Sequence, residues 1–219
     1  MKLYTIYTPS HKILFDNYFK PSLIEGEYDL KPKELINQEC PTGTYYQDGW
    51  NQTTYRKVEY FLKIAEENMG DTFVFSDVDI QFFGRTKETL LEELGDADIA
   101  AQDDTCNFMC SGFFICKSNE RTIRMFKSMK DNYHLYKEDQ DALNQNKHLA
   151  NWKLLSRKFF TVGQLTNRVW NGEDFIVPNG ILMHHSNWTI GIDNKIKLLE
   201  KVKNQMLSTS DNTSITYKF

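Results

Sequence analysis

The sequence has no surplus of positive charge: 26 Lys and Arg stand against 30 Asp and Glu, for a formal net charge of −4. A chain that grips nucleic acid shows a basic excess or a basic stripe, whereas these Lys and Arg are scattered over expected helices as solvated faces. No nucleic-acid partner is therefore expected. A nucleotide as a small ligand stays possible, because one metal and a few donors can hold a diphosphate without a basic protein. There is no apolar run of roughly 18 residues, so no membrane span is expected. The segment Met1-Lys2-Leu3-Tyr4-Thr5-Ile6-Tyr7 is too short and polar for a signal peptide and reads as a strand, which points to a cytoplasmic location. Cysteine is sparse, with only Cys40, Cys106, Cys110 and Cys116. No second ligand pair follows Cys106 and Cys110, so their spacing argues against zinc, and free thiols are expected. The G-x-S-x-G, P-loop and G-x-G-x-x-G patterns are all missing, as are internal repeats and low-complexity segments.

The 219 residues are 40% hydrophobic and 14% aromatic, enough for one sizeable core. One domain is expected over 1–207, with a polar tail, 208–219, that frays. Strands are expected at 2–7, 28–31, 72–76, 99–101, 113–116, 158–162, 174–177 and 181–184. Residues 37–51 read as a loop. Tyr55, Val58, Leu62, Ala65 and Met69 recur at helical spacing, with Asn51 or Thr53 as a cap and Gly70 as a stop. Further helices are expected around Phe15–Phe19, at 86–94 ahead of Gly95, and at 120–133, 139–148 and 193–207. Strands alternating with helices predict an α/β fold with a mostly parallel central sheet flanked by helices.

The sharpest feature is Phe73-Val74-Phe75-Ser76-Asp77-Val78-Asp79-Ile80-Gln81-Phe82-Phe83. Two carboxylates one residue apart end an apolar strand and are followed by more apolar residues. Burying an unpaired carboxylate costs several kcal/mol, and two so close repel unless a cation joins them. In open α/β sheets ligands bind beyond the carboxyl ends of strands, and oxygen ligands there suit Mg²⁺ or Mn²⁺ bridging to a diphosphate. A bare D-x-D is also an ordinary surface turn; the apolar flanks are what favour the buried reading.

Other stretches carry polar residues at useful places. Asp139-Gln140-Asp141 opens an expected helix, where Asp also serves as a cap, and Gln140 offers both a donor and an acceptor to sugar hydroxyls. Ser111-Gly112-Phe113-Phe114 contains a glycine that would allow close backbone approach. His184-His185-Ser186-Asn187-Trp188 is followed by Gly191 and Lys195.

With these four stretches in this order, the sequence resembles nucleotide-diphospho-sugar transferases of the GT-A fold, over roughly residues 2 to 200. The resemblance implies a metal-dependent glycosyltransferase acting on a nucleoside-diphosphate sugar, a UDP-sugar by preference, with Asp139, Gln140 and Asp141 as catalytic candidates beside the sugar, Asp139 or Asp141 binding it or stabilising an oxocarbenium-like centre, and with retention suggested by that stretch. It places Asp79 on the metal, Asp77 on the metal or the ribose, and His185, rather than His184, as a third ligand. An imidazole among carboxylates shifts the preference from Mg²⁺ toward Mn²⁺. Lys195 is implied to meet the diphosphate, where its ammonium would stabilise the leaving group. Thr8, Ser10 and His11, at the end of the first strand, fall where the family holds base and ribose. Lys57 matches a basic position, and Val78, Ser111, Gly112 and Gly191 fall within the implied nucleotide-sugar site. Gln102, Asp103 and Asp104 form another polar cluster at a strand end, as sugar contacts or as a loop. The acceptor is left open.

Two other functions fit parts of the pattern. A sugar nucleotidyltransferase should carry a glycine-rich phosphate loop after the first strand, and Thr8-Pro9-Ser10-His11 has no glycine. A non-catalytic nucleotide-sugar-binding module would tolerate loss of Asp139 to Asp141.

Overall fold

A computed structural model describes residues 1–40 and 44–210 of the chain, with side chains to 208. It opens with β1 (Lys2–Tyr7), then an irregular helical stretch in which α1 (Lys12–Leu14) and α2 (Lys20–Ser22) flank a π turn at Phe15–Phe19. Strand β2 (Asp29–Glu34) follows, then α3 (Trp50–Glu67); residues 41–43 of the expected 37–51 loop lie outside the described ones. Next come β3 (Thr72–Ser76), β4 (Ile80–Phe82), α4 (Lys87–Leu94), β5 (Ile99–Asp103) and β6 (Met109–Lys117). Helices α5 (Glu120–Asp131) and α6 (Asp139–Asn146) precede β7 (Trp152–Leu154), β8 (Phe159–Thr161), α7 (Gly163–Thr166), β9 (Met183–His185) and α8 (Ile192–Ser210).

The main sheet has the order β2-β1-β3-β6-β5-β7. Its strands run parallel except β6, which is antiparallel to both β3 and β5. The expected mostly parallel α/β sheet is therefore found, in a single domain. A second, small sheet has the order β4-β9-β8. Asp77-Val78-Asp79 is the link by which the chain leaves β3 in one sheet for β4 in the other.

Strand β3 is buried on both faces, as its unbroken apolar run requires. On one face Phe61 of α3 meets the rings of Phe75, Phe114 and Phe126 at centroid distances of 4.7, 5.2 and 5.6 Å. On the other, Leu3, Val74, Phe113 and Ile115 pack with Leu90 and Leu94 of α4 and Leu199 of α8. Rings at such distances add about 0.5–1.5 kcal/mol per pair beyond the area they bury.

Several expectations need correction. Helix α3 starts at Trp50 after Gly49, whose φ of +80° suits glycine, and no side chain caps it. Asn51 instead donates from Nδ2 to the carbonyl of Lys137 at 3.0 Å. Met69 lies beyond the helix and is 55% exposed. The helix expected from 86 begins at Lys87, where Glu27 Oε1 accepts the Lys87 N–H at 2.7 Å and the Thr86 N–H beside it. Residues 174–177 form no strand: Ile176 is 85% exposed, and the side chain of Gln205 hydrogen-bonds to the backbone of Phe175 and Val177 in a sheet's place. Helix α8 runs on through Ser210, past the start of the expected tail; residues 211–219 lie outside the described ones.

Candidate active site

Asp77 and Asp79 are held where two sheets meet. The Asp77 N–H donates to the carbonyl of Gly112 at 2.7 Å, continuing the β3–β6 pairing by one residue. Ile80, directly after Asp79, pairs with His185 across β4 and β9. The Ser186 N–H and hydroxyl both donate to the Asp79 carbonyl, at 2.9 and 3.0 Å. These bonds bring distant segments together, and one ligand atom from each of Asp77, Asp79 and His185 lies within 4.8 Å of the others.

Strand alternation turns the two histidines opposite ways. His185 is turned toward the carboxylates, its Nε2 3.2 Å from Asp79 Oδ1. His184 points the other way, fully buried against the Phe160 ring, and among the described residues neither of its ring nitrogens has a hydrogen-bond partner. Burial lowers the His184 pKa to about 3, with help from His185, so it stays neutral.

The residues fit a divalent cation. Gln102 is fully buried and its amide nitrogen donates to the carbonyls of Phe159 and Phe160, at 3.2 and 3.1 Å. Its oxygen Oε1 is thereby turned toward His185 Nδ1, 2.8 Å away, and must accept. Nδ1 then carries the proton, and Nε2 presents its lone pair to the carboxylates, as a metal-binding imidazole needs. Gly112 is required at its position: a Cβ there would lie 2.5 Å from His185 Cε1 and 2.6 Å from Asp77 Oδ2.

Two ammonium groups accompany the carboxylates. Lys57 Nζ is 2.8 Å from Asp77 Oδ2 and 2.9 Å from Asp139 Oδ2. Lys195 Nζ pairs with Asp79 Oδ2 and lies 3.4 Å from the carbonyl of Ser186. Burial pushes the Asp79 carboxyl up, but the Lys195 ammonium overcomes this and holds it well below the usual carboxylate range. For Asp77 burial wins and the pKa is raised, with Asp79 adding to the rise and Lys57 opposing it. Burial also disfavours the Lys57 charge, but Asp139 and Asp77 outweigh it and raise the pKa. The second carboxylate of the motif is thus the more firmly ionised of the two.

Around this group is a cleft of about 500 Å³. Thr8, Lys57, Asp77, Val78, Asp79, Ser111, Gly112, Asp139, Gln140, His185, Gly191 and Lys195 all line it. Ser111 Oγ donates to Asp139 Oδ2 at 2.7 Å. Gly191, with φ +83°, makes the turn into α8, and its carbonyl accepts the Lys195 N–H. Ser10 stands one step back: its hydroxyl is 3.0 Å from Thr8 Oγ1 and 3.1 Å from His11 Nδ1, and its N–H donates to Gln38. His11 lines the cleft, and burial, then repulsion by Lys195, lower its pKa to about 4. Asp141 does not line the cleft; its carboxylate accepts the Lys137 N–H at 3.1 Å in the turn before α6.

Sequence reasoning passed over Trp50, Tyr45 and Glu138, which also line the cleft. Tyr45 Oη donates to Glu138 Oε1 at 3.3 Å, and burial, then the charge of Asp139, raise the Glu138 pKa to about 7. Glu138 precedes Asp139-Gln140-Asp141 directly, and that adjacency was the available signal.

A search of the curated proteins finds no match. Among solved structures the chain is similar to the galactosyltransferase LgtC in complex with donor and acceptor sugar analogs, at 13% identity and a TM-score of 0.56, covering 85% of this chain and 87% of that one. It is also similar to a glycosyltransferase involved in glycosylating the major capsid of PBCV-1, at 10% identity and TM-score 0.60, over 92% and 100%. The glycosyltransferase GlyE of Streptococcus pneumoniae TIGR4 aligns at 11% identity and TM-score 0.54, over 99% of this chain and 64% of GlyE. These likenesses concern the fold. The model of the nucleotide-diphospho-sugar transferase family matches residues 31–199, which span β2 to α8 and hold every residue of the carboxylate–imidazole group. The chain therefore belongs to the nucleotide-diphospho-sugar transferase family and is a glycosyltransferase of the GT-A fold.

Proposed function

We propose that this glycosyltransferase moves a sugar from a nucleoside-diphosphate donor, a UDP-sugar, to an acceptor hydroxyl, with a divalent cation held by Asp77, Asp79 and His185 and with retention at the anomeric carbon. The observation that carries the reading is the meeting of two carboxylates, Asp79 buried and Asp77 partly so, with one oriented, buried imidazole at the wall of a 500 Å³ cleft. A nitrogen ligand among oxygens favours Mn²⁺ over Mg²⁺. When bound, the ion supplies positive charge to the diphosphate leaving group.

The protein's own groups account for the rest. Lys195 reaches Asp79 and so lies beside the same charge; its ammonium would bind the diphosphate and stabilise it as it departs. Gly191 keeps the entry to α8 free of a side chain. Thr8, Ser10 and His11 form a linked polar patch in which His11 is neutral, suited to ribose and base hydroxyls and carbonyls. Lys57, Asp77, Ser111 and Asp139 make one partly buried network that would orient the sugar. Holding donor and acceptor together converts a bimolecular step into an oriented one. Asp139 and Gln140 line the cleft, where they would lie beside the positive charge that develops on the sugar ring; the retention proposed rests on the resemblance of Asp139-Gln140-Asp141 to retaining relatives. No helix among the described residues is long and apolar enough to cross a membrane.

The reading is tested with a panel of UDP-, GDP- and ADP-sugars and Mn²⁺, measuring slow donor hydrolysis. Activity toward a UDP-sugar that disappears with excess chelator and in Asp79→Ala is the expected result. Undiminished activity in either case sinks the metal assignment. NMR of the released sugar, read before mutarotation, decides retention.

A further inference from the structure

Asp104 follows β5 and lines the cleft, and its two carboxylate oxygens are shared out between different partners. Oδ1 accepts from Asn187 Nδ2 at 2.6 Å and from Trp188 Nε1 at 2.7 Å. Oδ2 accepts from Gln140 Nε2 at 2.7 Å. A carboxylate can only accept, so this bond fixes which way the Gln140 amide is turned. Its NH₂ faces Asp104, and among the described residues its oxygen Oε1 has no hydrogen-bond partner, on a residue that lines the cleft.

Asp104 is itself held by rigid neighbours. Asn187 has its own oxygen filled by Thr161 Oγ1 at 2.6 Å. The Trp188 indole lies so close over Gly163 that a Cβ there would be 2.3 Å from the ring. Three donors on one carboxylate fix its position. A fixed carboxylate with a fixed amide is suited to orientation.

We infer that Asp104 is a positioning residue for glycosyl transfer, locking the Gln140 amide so that its oxygen rather than its NH₂ faces the bound sugar. The inference rests on the donor reading above. As the bond between the anomeric carbon and the phosphate oxygen weakens, positive charge gathers on the sugar. The negative end of a fixed amide dipole stabilises that charge, whereas a flipped amide opposes it.

The division of the two oxygens makes a selective test available. In Asp104→Asn, the remaining side-chain oxygen keeps the Asn187 and Trp188 bonds. The introduced NH₂ faces Gln140 and can be satisfied only if the Gln140 amide flips. Turnover of UDP-glucose, UDP-galactose or UDP-N-acetylglucosamine with Mn²⁺, whichever the wild type hydrolyses fastest, is expected to fall roughly 10- to 100-fold, with the donor KM little changed. Gln140→Glu alone sets two carboxylates against each other and is also impaired. The double variant, Asp104→Asn with Gln140→Glu, restores the bond with reversed polarity. The amide at position 104 then donates to the carboxylate at position 140, which keeps one oxygen facing the cleft. It is expected to exceed both single variants. Wild-type turnover in Asp104→Asn, or a double variant no better than Gln140→Glu, overturns the inference. The side-chain amide resonance of ¹⁵N-labelled Gln140 gives a readout that needs no sugar. It is expected to lose exchange protection in Asp104→Asn, and an unchanged resonance overturns the proposed orientation. A wild type inert toward all three sugars counts against the donor reading, while the resonance still decides whether Asp104 holds the amide.

Discussion

Alanine at Gly112 would introduce one methyl group between an imidazole and a carboxylate. Its Cβ would lie 2.5 Å from His185 Cε1, 2.6 Å from Asp77 Oδ2 and 3.2 Å from Asp77 Cγ. Carbon atoms rest at about 3.5–4.0 Å, so the neighbours must retreat by about 1 Å. Neither retreats freely. His185 is tied at Nδ1 to a glutamine that is itself tied to two carbonyls, and Asp77 is tied to Lys57 and, through its N–H, to residue 112 itself. Overpacking of this kind costs about 1–3 kcal/mol. In a domain of this size that lowers Tm by roughly 2–4 °C per kcal/mol, so a drop of about 2–12 °C is expected. Mn²⁺ affinity should fall further than stability does, because the displaced atoms are the proposed ligands; a loss of roughly 10-fold or more is expected. Calorimetric titration with Mn²⁺, alone and with UDP, measures the affinity, and thermal melts measure the stability. Gly84→Ala is the control: there a Cβ meets only Leu182 Cδ2, at 3.2 Å, away from the carboxylates. Wild-type Mn²⁺ affinity in Gly112→Ala would falsify the placement of the cation between Asp77 and His185.

Gln102→Leu removes the acceptor for His185 Nδ1 and the donor for two buried carbonyls. A loss of about 1–3 kcal/mol is expected in denaturant titrations, together with weaker Mn²⁺ binding; unchanged Mn²⁺ affinity would show that His185 needs no such support. His185→Ala should abolish the Mn²⁺ dependence of nucleotide binding, whereas His184→Leu should keep it. Because both His184 nitrogens are buried without partners, His184→Leu should also leave stability unchanged or raise it, read as Tm. The Arg121 hydrogen bond, aided by Asn151 N–H and Asn119, holds the Asp98 carboxyl down to about 2 against its ordinary 3.8. A depressed folded-state pKa stabilises above the unfolded value and is lost as pH falls. The stability gap between wild type and Asp98→Asn should thus be full at neutral pH and close as pH drops from about 4 to about 2. A gap that persists at the lower pH would contradict this account.

What could be read from the sequence followed the range of the interactions involved. Helix α3 and strand β3 announce themselves by periodicity and by an unbroken apolar run, and the two carboxylates gain meaning from that run. Strand β4 was hidden because Ile80-Gln81-Phe82 continues the apolar stretch of β3 with only Asp77-Val78-Asp79 between. Strand β7 was hidden because it is three residues long and two of them, Trp152 and Lys153, are exposed. The β-prone Phe175-Ile176-Val177 misled for the opposite reason: propensity was present and a pairing strand was not. At the site, the motif favours His185 over His184 as the expected ligand, but the orientation of His185 by Gln102 crosses 83 positions and leaves no local trace. The link from Asp104 to Gln140, Asn187 and Trp188 is equally remote, although each of these residues lies in a stretch that stood out for other reasons.

The passage of the chain from the main sheet to the small one has a mechanical consequence. Both carboxylates sit on that crossing strap, while the imidazole belongs to the small sheet alone. An ion of the kind proposed, seated among them, would act as a rivet between the two sheets, so its loading would be felt as stiffness across the junction as well as charge in the cleft. Ion occupancy should then slow hydrogen exchange at the amides of β4 and β9, far more than at those of β1 or β5.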